Sequence, residues 1–455
     1  MFTKKLSRKF LYGLIFVLVG FICLPALAEG ADKFGVRGLK KFTGTELENA
    51  CQMVKDADVG WFRGEVLWKD IVDNEGNFNW VSLDEQIENT LRHEINSILT
   101  LRSVYELFAP GSGKVDLGYK TIWKSAPPAP EYLENYKDFV RQIVERYDGD
   151  GVSDAPFVNE IKNIKHWQIE NEPGKRPNKG SVFWEGNAAK YADLFLVAHD
   201  VIKEADAGAK VALSGFTHVA IKYFIKNDKS FISEVLRIIH ENGGDFDIFD
   251  YHFYGSYQTF IKKAKFTDKP VWVTETNVNK NQMDPYYTTE EYNRFVAKDI
   301  VKRYSIMFFR GAEKVFWFEL SDKKDATWTI PMEPNDFEQF RGLTQNDLIP
   351  KPVYHTYKLL IGKIKDKEGV RRIIVEPSVW VYKFGKNDGA VYVMWYDNPL
   401  GVSKGVNILL PWESVLITHV ITEAGVTEPS TEIKTTQDGF LQITLDDSPI
   451  FVERY

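Results

Sequence analysis

From residue 34 onward the chain alternates between two hydrophobic rhythms. Short apolar runs rich in β-branched and aromatic residues, at 34–38, 60–66, 95–101, 166–170, 210–215, 247–254, 270–276 and 314–320, read as strands. Between them, apolar residues recur at helical spacing over 45–54, 83–92, 131–147, 188–205, 229–242 and 290–309. The crossover around 257–265 is short, and a last helix is expected over 354–361, after Pro352. Strands alternating with helical crossovers predict an α/β fold of the (β/α)8 TIM-barrel type, because right-handed crossovers wind parallel strands around one closed core. An open, doubly wound sheet is the rival reading of the same alternation.

After residue 363 the helical rhythm stops. Runs at 371–376, 379–384, 390–396, 406–410, 415–421 and 440–445 carry no helix between them, and Asn387-Asp388-Gly389 and Gln437-Asp438-Gly439 supply turn signals. They predict a smaller C-terminal antiparallel β-sandwich. No low-complexity linker precedes it, so it should pack on the barrel rather than hang from it. The expected organisation is an export segment at 1–28, a barrel domain at 29–363 and a sandwich domain at 364–455.

The export segment rests on Lys4, Lys5, Arg8 and Lys9, an apolar run over 10–24, then Pro25 and the small-residue pattern Ala26-Leu27-Ala28. These features predict a cleaved signal peptide, a secreted or periplasmic protein and no stable membrane insertion afterwards. A retained membrane anchor is the alternative, since 10–28 is barely long enough to span. Bulky Phe21 and Ile22 before Cys23 exclude a lipidation box. Cleavage would leave only Cys51, so no internal disulfide could staple the fold. The net charge of -7 becomes -11 without those four cations, which argues against nucleic acid as a partner.

Long segments at 102–130, 173–186 and 321–350 all follow strands and would stand on the C-terminal rim of a barrel, where active sites sit. They carry Tyr105, Trp123, Phe183, Trp184, Trp328, Phe337 and Phe340. Any one of these reads as loop packing. As a group they point to a cleft that stacks flat apolar faces, such as those of sugar rings.

The fourth strand ends His166-Trp167-Gln168-Ile169-Glu170-Asn171-Glu172-Pro173, and the seventh ends Thr274-Glu275-Thr276-Asn277. Strands four and seven lie across the mouth of an eight-stranded barrel, so Glu172 and Glu275 can face each other over a cleft. Glycoside hydrolysis uses such a pair, one carboxylic acid protonating the departing oxygen while the other carboxylate attacks or stabilises the sugar carbon. Each glutamate alone would more simply be a salt-bridged rim residue. The rest of the chain offers no competing chemistry: no His-Glu-x-x-His, no paired cysteines, no Gly-x-Ser-x-Gly elbow and no dinucleotide-binding glycine motif. Gly111-Ser112-Gly113-Lys114 is followed by Val115, which lacks the hydroxyl a phosphate loop needs. No cofactor and no metal are expected.

In these motifs the chain resembles the clan A glycoside hydrolases of families 5 and 39, over roughly residues 34–363. Asn171-Glu172-Pro173 and Thr274-Glu275 match the positions of that clan's acid/base and nucleophile. Asp250-Tyr251-His252-Phe253-Tyr254 matches its sixth strand, where a His and a Tyr often stand beside the nucleophile. Arg63 and Trp317 match the family 5 pattern, and Gly342-Leu343 with Pro350-Lys351-Pro352-Val353-Tyr354 looks like the lead into the last helix in families 5 and 39. The third strand departs from family 5, ending Thr100-Leu101-Arg102-Ser103 without the usual His. The resemblance implies a retaining glycosidase acting on a β-linked poly- or oligosaccharide. Arg63 and Tyr254 would keep Glu275 ionised, and the neighbouring negative charge would keep Glu172 protonated. Asn171 would bond the sugar 2-hydroxyl, His252 would orient Glu172 or pack in the core, and Trp317 would floor the reacting subsite. Asn277 and Trp68 are weaker rim candidates, and Glu65 and Asp70 are substitute acids. A barrel that only binds or exports polysaccharide, without catalysis, is the competing function.

Overall fold

The computed structural model describes residues 32–118, 120–174, 181–398 and 401–455. The expected signal segment and Cys23 lie outside them. Within the described residues no helix is long and apolar enough to cross a membrane, and Cys51 is buried with a free thiol.

Eight strands form the barrel: β1 (Phe34–Arg37), β2 (Trp61–Leu67), β3 (Asn96–Arg102), β4 (His166–Ile169), β5 (Lys210–Ala212), β6 (Phe249–Phe253), β7 (Val271–Thr276) and β8 (Lys314–Trp317). All pairs are parallel, in the order 5-4-3-2-1-8-7-6. The fifth strand closes the ring. Its first half pairs with β4, while Phe216–Thr217, past the interruption at Leu213–Gly215, pairs with β6. The Leu213 amide also donates to the Ile248 carbonyl at 3.0 Å. An open doubly wound sheet is thereby excluded.

Crossover helices stand where the periodicity puts them: α1 (Gly44–Asp56), α2 (Val81–Arg92), α3 (Leu133–Tyr147), α4 (Ala188–Ala205), α5 (Phe231–Glu241), α6 (Thr289–Phe309) and α7 (Pro352–Ile364). Thr288 and Glu291 form a capping box at the start of α6, and Pro352 opens α7 at the position where a missing N–H costs nothing. The sixth crossover is only the 3-10 turns Tyr257–Thr259 and Lys263–Lys265.

That thin flank receives the C-terminal sheets. Tyr257 and Gln258 donate to Asp397 at 2.7 and 2.8 Å, and Lys302 pairs with the same carboxylate. Thr356 on α7 exchanges hydrogen bonds with Ile421 at 2.6 and 3.0 Å. Tyr382, Phe384 and Trp395 join the barrel's own core cluster, so the sandwich is docked as expected. It has eight strands among the described residues rather than six. Thr431–Thr435 and Ile450–Arg454 are the additions. The first is a polar edge strand whose alternation is mostly solvated, and the second pairs between Val391–Tyr396 and Ser414–His419.

Inside the barrel the period-2 alternation of the strands stacks side chains in tiers. Trp61, Ile98, Ala212, Ile248, Trp272 and Phe316 plug the lower end. Two residues further along the strands, Arg63, Thr100, Gln168, Asp250 and Thr274 form a buried polar tier. The uppermost tier is the mouth.

Candidate active site

Glu275 reaches the mouth through a local irregularity. The β6–β7 register runs Trp272↔Asp250 and then Glu275↔His252, so β7 carries one extra residue. A bulge of this kind re-aims side chains. Here it lets Thr274 face Asp250 and Glu275 face His252, although the two are sequence neighbours. Glu172 lies past the end of β4, where Asn171 still bridges Gly215. Both Glu170 and Glu172 have positive φ, of 66° and 46°, a conformation in which side chains are uncommon outside special sites.

Arg63 organises the mouth from beneath. Its guanidinium is fully buried and donates to Gln168 Oε1 at 2.9 Å, to Glu275 Oε1 at 2.6 Å and to Asn171 Oδ1 at 2.9 Å. Tyr254 donates to Glu275 Oε2 at 2.7 Å, and Arg37 stands 3.6 Å from Oε1. Burial alone would raise the Glu275 carboxyl. His252, Arg37 and Arg63, with the Tyr254 hydrogen bond, outweigh it and hold Glu275 down at about 2.

His252 sits between the two glutamates. Its Nδ1 is 2.9 Å from Glu172 Oε1 and 3.5 Å from Glu275 Oε2. Its Nε2 is 3.1 Å from Thr274 Oγ1 and 3.3 Å from Asp250 Oδ2. Burial pulls the imidazole down, but Glu275 and Asp250, with the hydrogen bonds from its ring, push it up to about 10. Both ring nitrogens therefore carry protons at neutral pH and donate, Nδ1 to Glu172 and Nε2 to Thr274. The ring lies directly over Gly215, where a Cβ would overlap it. Glu172, His252 and Glu275 place ligand-type atoms within 4.8 Å of one another, a spacing that also suits a cation.

The expected site residues Arg63, Asn171, Glu172, His252, Tyr254 and Glu275 thus meet in one cluster. Trp317 does not join it. It is 0% exposed, faces the helix layer and donates its indole N–H to the Arg341 carbonyl at 3.1 Å. The ring at the mouth is its neighbour Phe318, which stands edge-on to Tyr254 at 6.0 Å and stacks under Arg37 at 4.8 Å. Along β8 and its exit, Phe316 faces the barrel interior, so Phe318 returns to that face and Trp317 does not. Asn277 and Trp68 serve packing: Asn277 Nδ2 holds the Phe318 and Arg341 carbonyls, and Trp68 is enclosed by Tyr105, Phe108, Tyr136 and Phe139. Of the rim aromatics, Tyr105, Trp184 and Phe337 are buried, whereas Trp123, Phe183, Trp328 and Phe340 keep partly open faces.

Sequence reasoning overlooked the second charge layer. Arg37 bonds Glu65 at 2.5 Å, Arg102 bonds the same carboxylate at 3.2 Å, and Arg102 lies 3.8 Å from buried Glu170. Burial would raise the Glu65 carboxyl, yet Arg37 and Arg102 hold it well below the usual range. Glu65 is therefore ill-suited as a substitute acid. The signal was available in the alternation Trp61-x-Arg63-x-Glu65 and Ile98-x-Thr100-x-Arg102, which walks up the inner wall.

Fold and site together define a class, a (β/α)8 barrel with paired glutamates across its mouth and a β-sandwich appended. Solved structures of glycoside hydrolases are similar to it in fold. The chain is similar to a family 39 glycoside hydrolase from the gut symbiont Bacteroides cellulosilyticus WH2, with 15% identity, 94% of this chain and 82% of that one covered, and a TM-score of 0.63. A glucosidase from Croceicoccus marinus is similar at 13% identity, with 94% and 96% covered and a TM-score of 0.61. A family 30 endoxylanase from Clostridium papyrosolvens C71 is similar at 14% identity, with 94% and 97% covered and a TM-score of 0.58. At these identities the likeness is one of fold, and it is the fold of clan A enzymes. No protein-family model matches the chain, and no curated protein matches its sequence at a significant level.

Proposed function

We propose that this protein is a retaining glycoside hydrolase acting on a β-linked poly- or oligosaccharide outside the cytoplasm, with Glu172 as acid/base and Glu275 as nucleophile. The observation that carries the reading is the spacing of the two carboxylates, which have oxygens within 4.8 Å of each other. Double displacement needs about 5–5.5 Å between such groups, whereas inversion needs roughly 6.5–9.5 Å to admit a water. Their surroundings divide the roles. Glu275, with four polar neighbours and a depressed pKa, is an ionised nucleophile. Glu172 is more open, touches only His252 through its carboxylate among the described residues, and can turn toward a departing oxygen. The amide nitrogen of Asn171 has no hydrogen-bond partner there and is free for a sugar hydroxyl, since Arg63 takes only its oxygen. Phe318 replaces Trp317 as the proposed platform for the sugar face.

Substitution separates the roles. Glu275→Gln should abolish turnover while leaving fold and sugar binding intact, and azide should partly restore Glu275→Ala by filling the vacated space. Glu172→Ala should lose cleavage of natural bonds by orders of magnitude but lose far less on an aryl glycoside whose phenol leaves as the anion. Equal losses on both substrates would remove Glu172 from the acid role. Binding of oligosaccharide without any turnover across a broad panel would favour the non-catalytic alternative.

A further inference from the structure

Away from the mouth, three acids gather where α3 ends. Glu145 lies on its last turn, Asp148 is its C-cap residue and Asp150 follows in the loop Asp148-Gly149-Asp150-Gly151-Val152-Ser153-Asp154. Each places a carboxylate oxygen within 4.8 Å of the other two. A helix C-terminus carries the negative end of the backbone dipole, so carboxylates there repel both one another and the last carbonyls. Asp148 makes the conflict acute. It is 1% exposed, its Oδ1 accepts the Asp150 amide at 3.2 Å, and its Oδ2 is buried with no hydrogen-bond partner.

Nearby cations are committed elsewhere. Arg146 is bound to Asp84 at 2.8 and 2.6 Å, and Lys165 to Asp206 at 2.8 Å. Among the described residues, none of the three acids takes part in an ion pair. Asp154 shapes the loop instead, accepting the Gly149 and Gly151 amides at 2.9 and 2.7 Å. A buried, unpartnered carboxylate oxygen beside two further carboxylates has no ion-pair partner, Lys165 acting on it only from a distance, and buried charges in proteins are paired or hold metals.

We propose that Glu145, Asp148 and Asp150 form a calcium site that fastens the end of α3 to the loop leading into β4. All donors are carboxylate oxygens, with no histidine or thiol, which selects a hard cation over zinc or copper. Calcium binds oxygens at about 2.3–2.6 Å, so its ligands can stand up to about 5 Å apart, as the three here do. The exposed side of Asp150 leaves room for waters to complete the shell. The site lies apart from the paired glutamates and does not rest on the glycosidase reading.

The test uses the full chain stripped with EDTA, titrated with calcium by calorimetry and followed by thermal melting. One calcium should bind with a Kd in the range of about 10⁻⁴–10⁻³ M or tighter, and the melting temperature should climb with calcium concentration. Asp150→Asn, at an exposed position, should fold normally and weaken binding at least tenfold. Asp148→Asn should abolish the response, and in EDTA it should melt at or above the wild type, because it removes a buried uncompensated charge. Glu275→Gln should respond as the wild type does, separating this site from the carboxylates at the mouth. Absence of any calcium response at 10 mM would overturn the proposal. So would a response that survives in both Asp148→Asn and Asp150→Asn, or one elicited by magnesium and not by calcium.

Discussion

Replacing His252 with Gln tests the electrostatics of the mouth most directly. Gln can keep an N–H donor toward Glu172, but it removes the positive charge that lies 3.5 Å from Glu275 and 3.3 Å from Asp250. The His252 pKa is raised from 6.5 to about 10. A group raised in this way contributes its full stabilisation below pH 6.5, the unfolded value, and loses it as pH rises through about 10. At about 1.36 kcal/mol per pH unit, that interval is on the order of 5 kcal/mol. The part of the Glu275 depression that comes from His252 is the same attraction seen from the other partner, so it is counted once. Without the cation, Glu275 should rise from about 2, with Arg37, Arg63 and Tyr254 still holding it below the usual carboxylate range. For an aryl glycoside that the enzyme hydrolyses, kcat/KM of the wild type should stay flat on the acid side until the protein unfolds. His252→Gln should instead fall tenfold per pH unit once the pH drops below that raised value. Thermal melts should show the gap between wild type and variant widest below pH 6.5 and closing toward pH 10. Superimposable acid limbs, or a His252 ring signal in NMR that titrates near 6.5, would refute the reasoning.

Tyr254→Phe removes one hydrogen bond to Glu275 Oε2, worth about 1.5 kcal/mol or somewhat more for a charged acceptor, and should move the acid limb up by roughly one pH unit, less than His252→Gln does. Trp317→Ala empties a fully buried site and should cost about 3–5 kcal/mol, visible as a lower midpoint in denaturant, with KM unchanged in the folded fraction. Phe318→Leu should do the reverse, raising KM for the glycoside while leaving the midpoint nearly in place. A KM response from Trp317→Ala with none from Phe318→Leu would restore Trp317 as the platform.

The exchange of Trp317 for Phe318 shows where the sequence stops being readable. A period of two says that alternate residues share a face, but not which set faces the barrel and which the helices. In β8 both sets are large and apolar: Val315 and Trp317 pack outward, and Phe316 packs inward. Composition cannot break that tie. β2 and β3 could have been phased from their charges, because Arg63 and Arg102 are tolerated only inside a polar cage or at the rim. The bulge in β7 was equally hidden, since Thr274 and Glu275 face the interior together only when the strand carries an extra residue. Glu172 and Glu275 were legible for a different reason. Barrel closure brings the ends of strands four and seven together across the mouth, and the order of the strands could be read without knowing that the β7 bulge turns Glu275 inward. The strand at Thr431–Thr435 escaped notice because its apolar position, Ile433, is 52% exposed and leaves no buried stripe to read.

The charge arrangement also suits one histidine to both halves of the proposed double displacement. Arg37 is matched by Glu65, and Arg102 by Glu170, which leaves Arg63 and His252 to balance the groups at the centre. In the proposed mechanism Glu172 begins as the acid, so the central anions are Glu275 and Asp250, and the sum is zero. In the proposed glycosyl-enzyme Glu275 would be a sugar ester, the anions would be Glu172 and Asp250, and the sum would again be zero. The negative charge would move no more than 4.8 Å between two oxygens that both face His252 Nδ1. His252 can follow that transfer without moving and without changing its own protonation, provided that its pKa stays above the working pH. Asp250 secures that condition. It is fully buried, accepts the Thr274 amide at 3.0 Å and hydroxyl at 2.5 Å, and is held ionised against burial by His252 and Arg63. An uncharged residue at 250 would take away one of the two charges that raise the imidazole, after Glu275, and the flat region of the pH profile would narrow from its basic side.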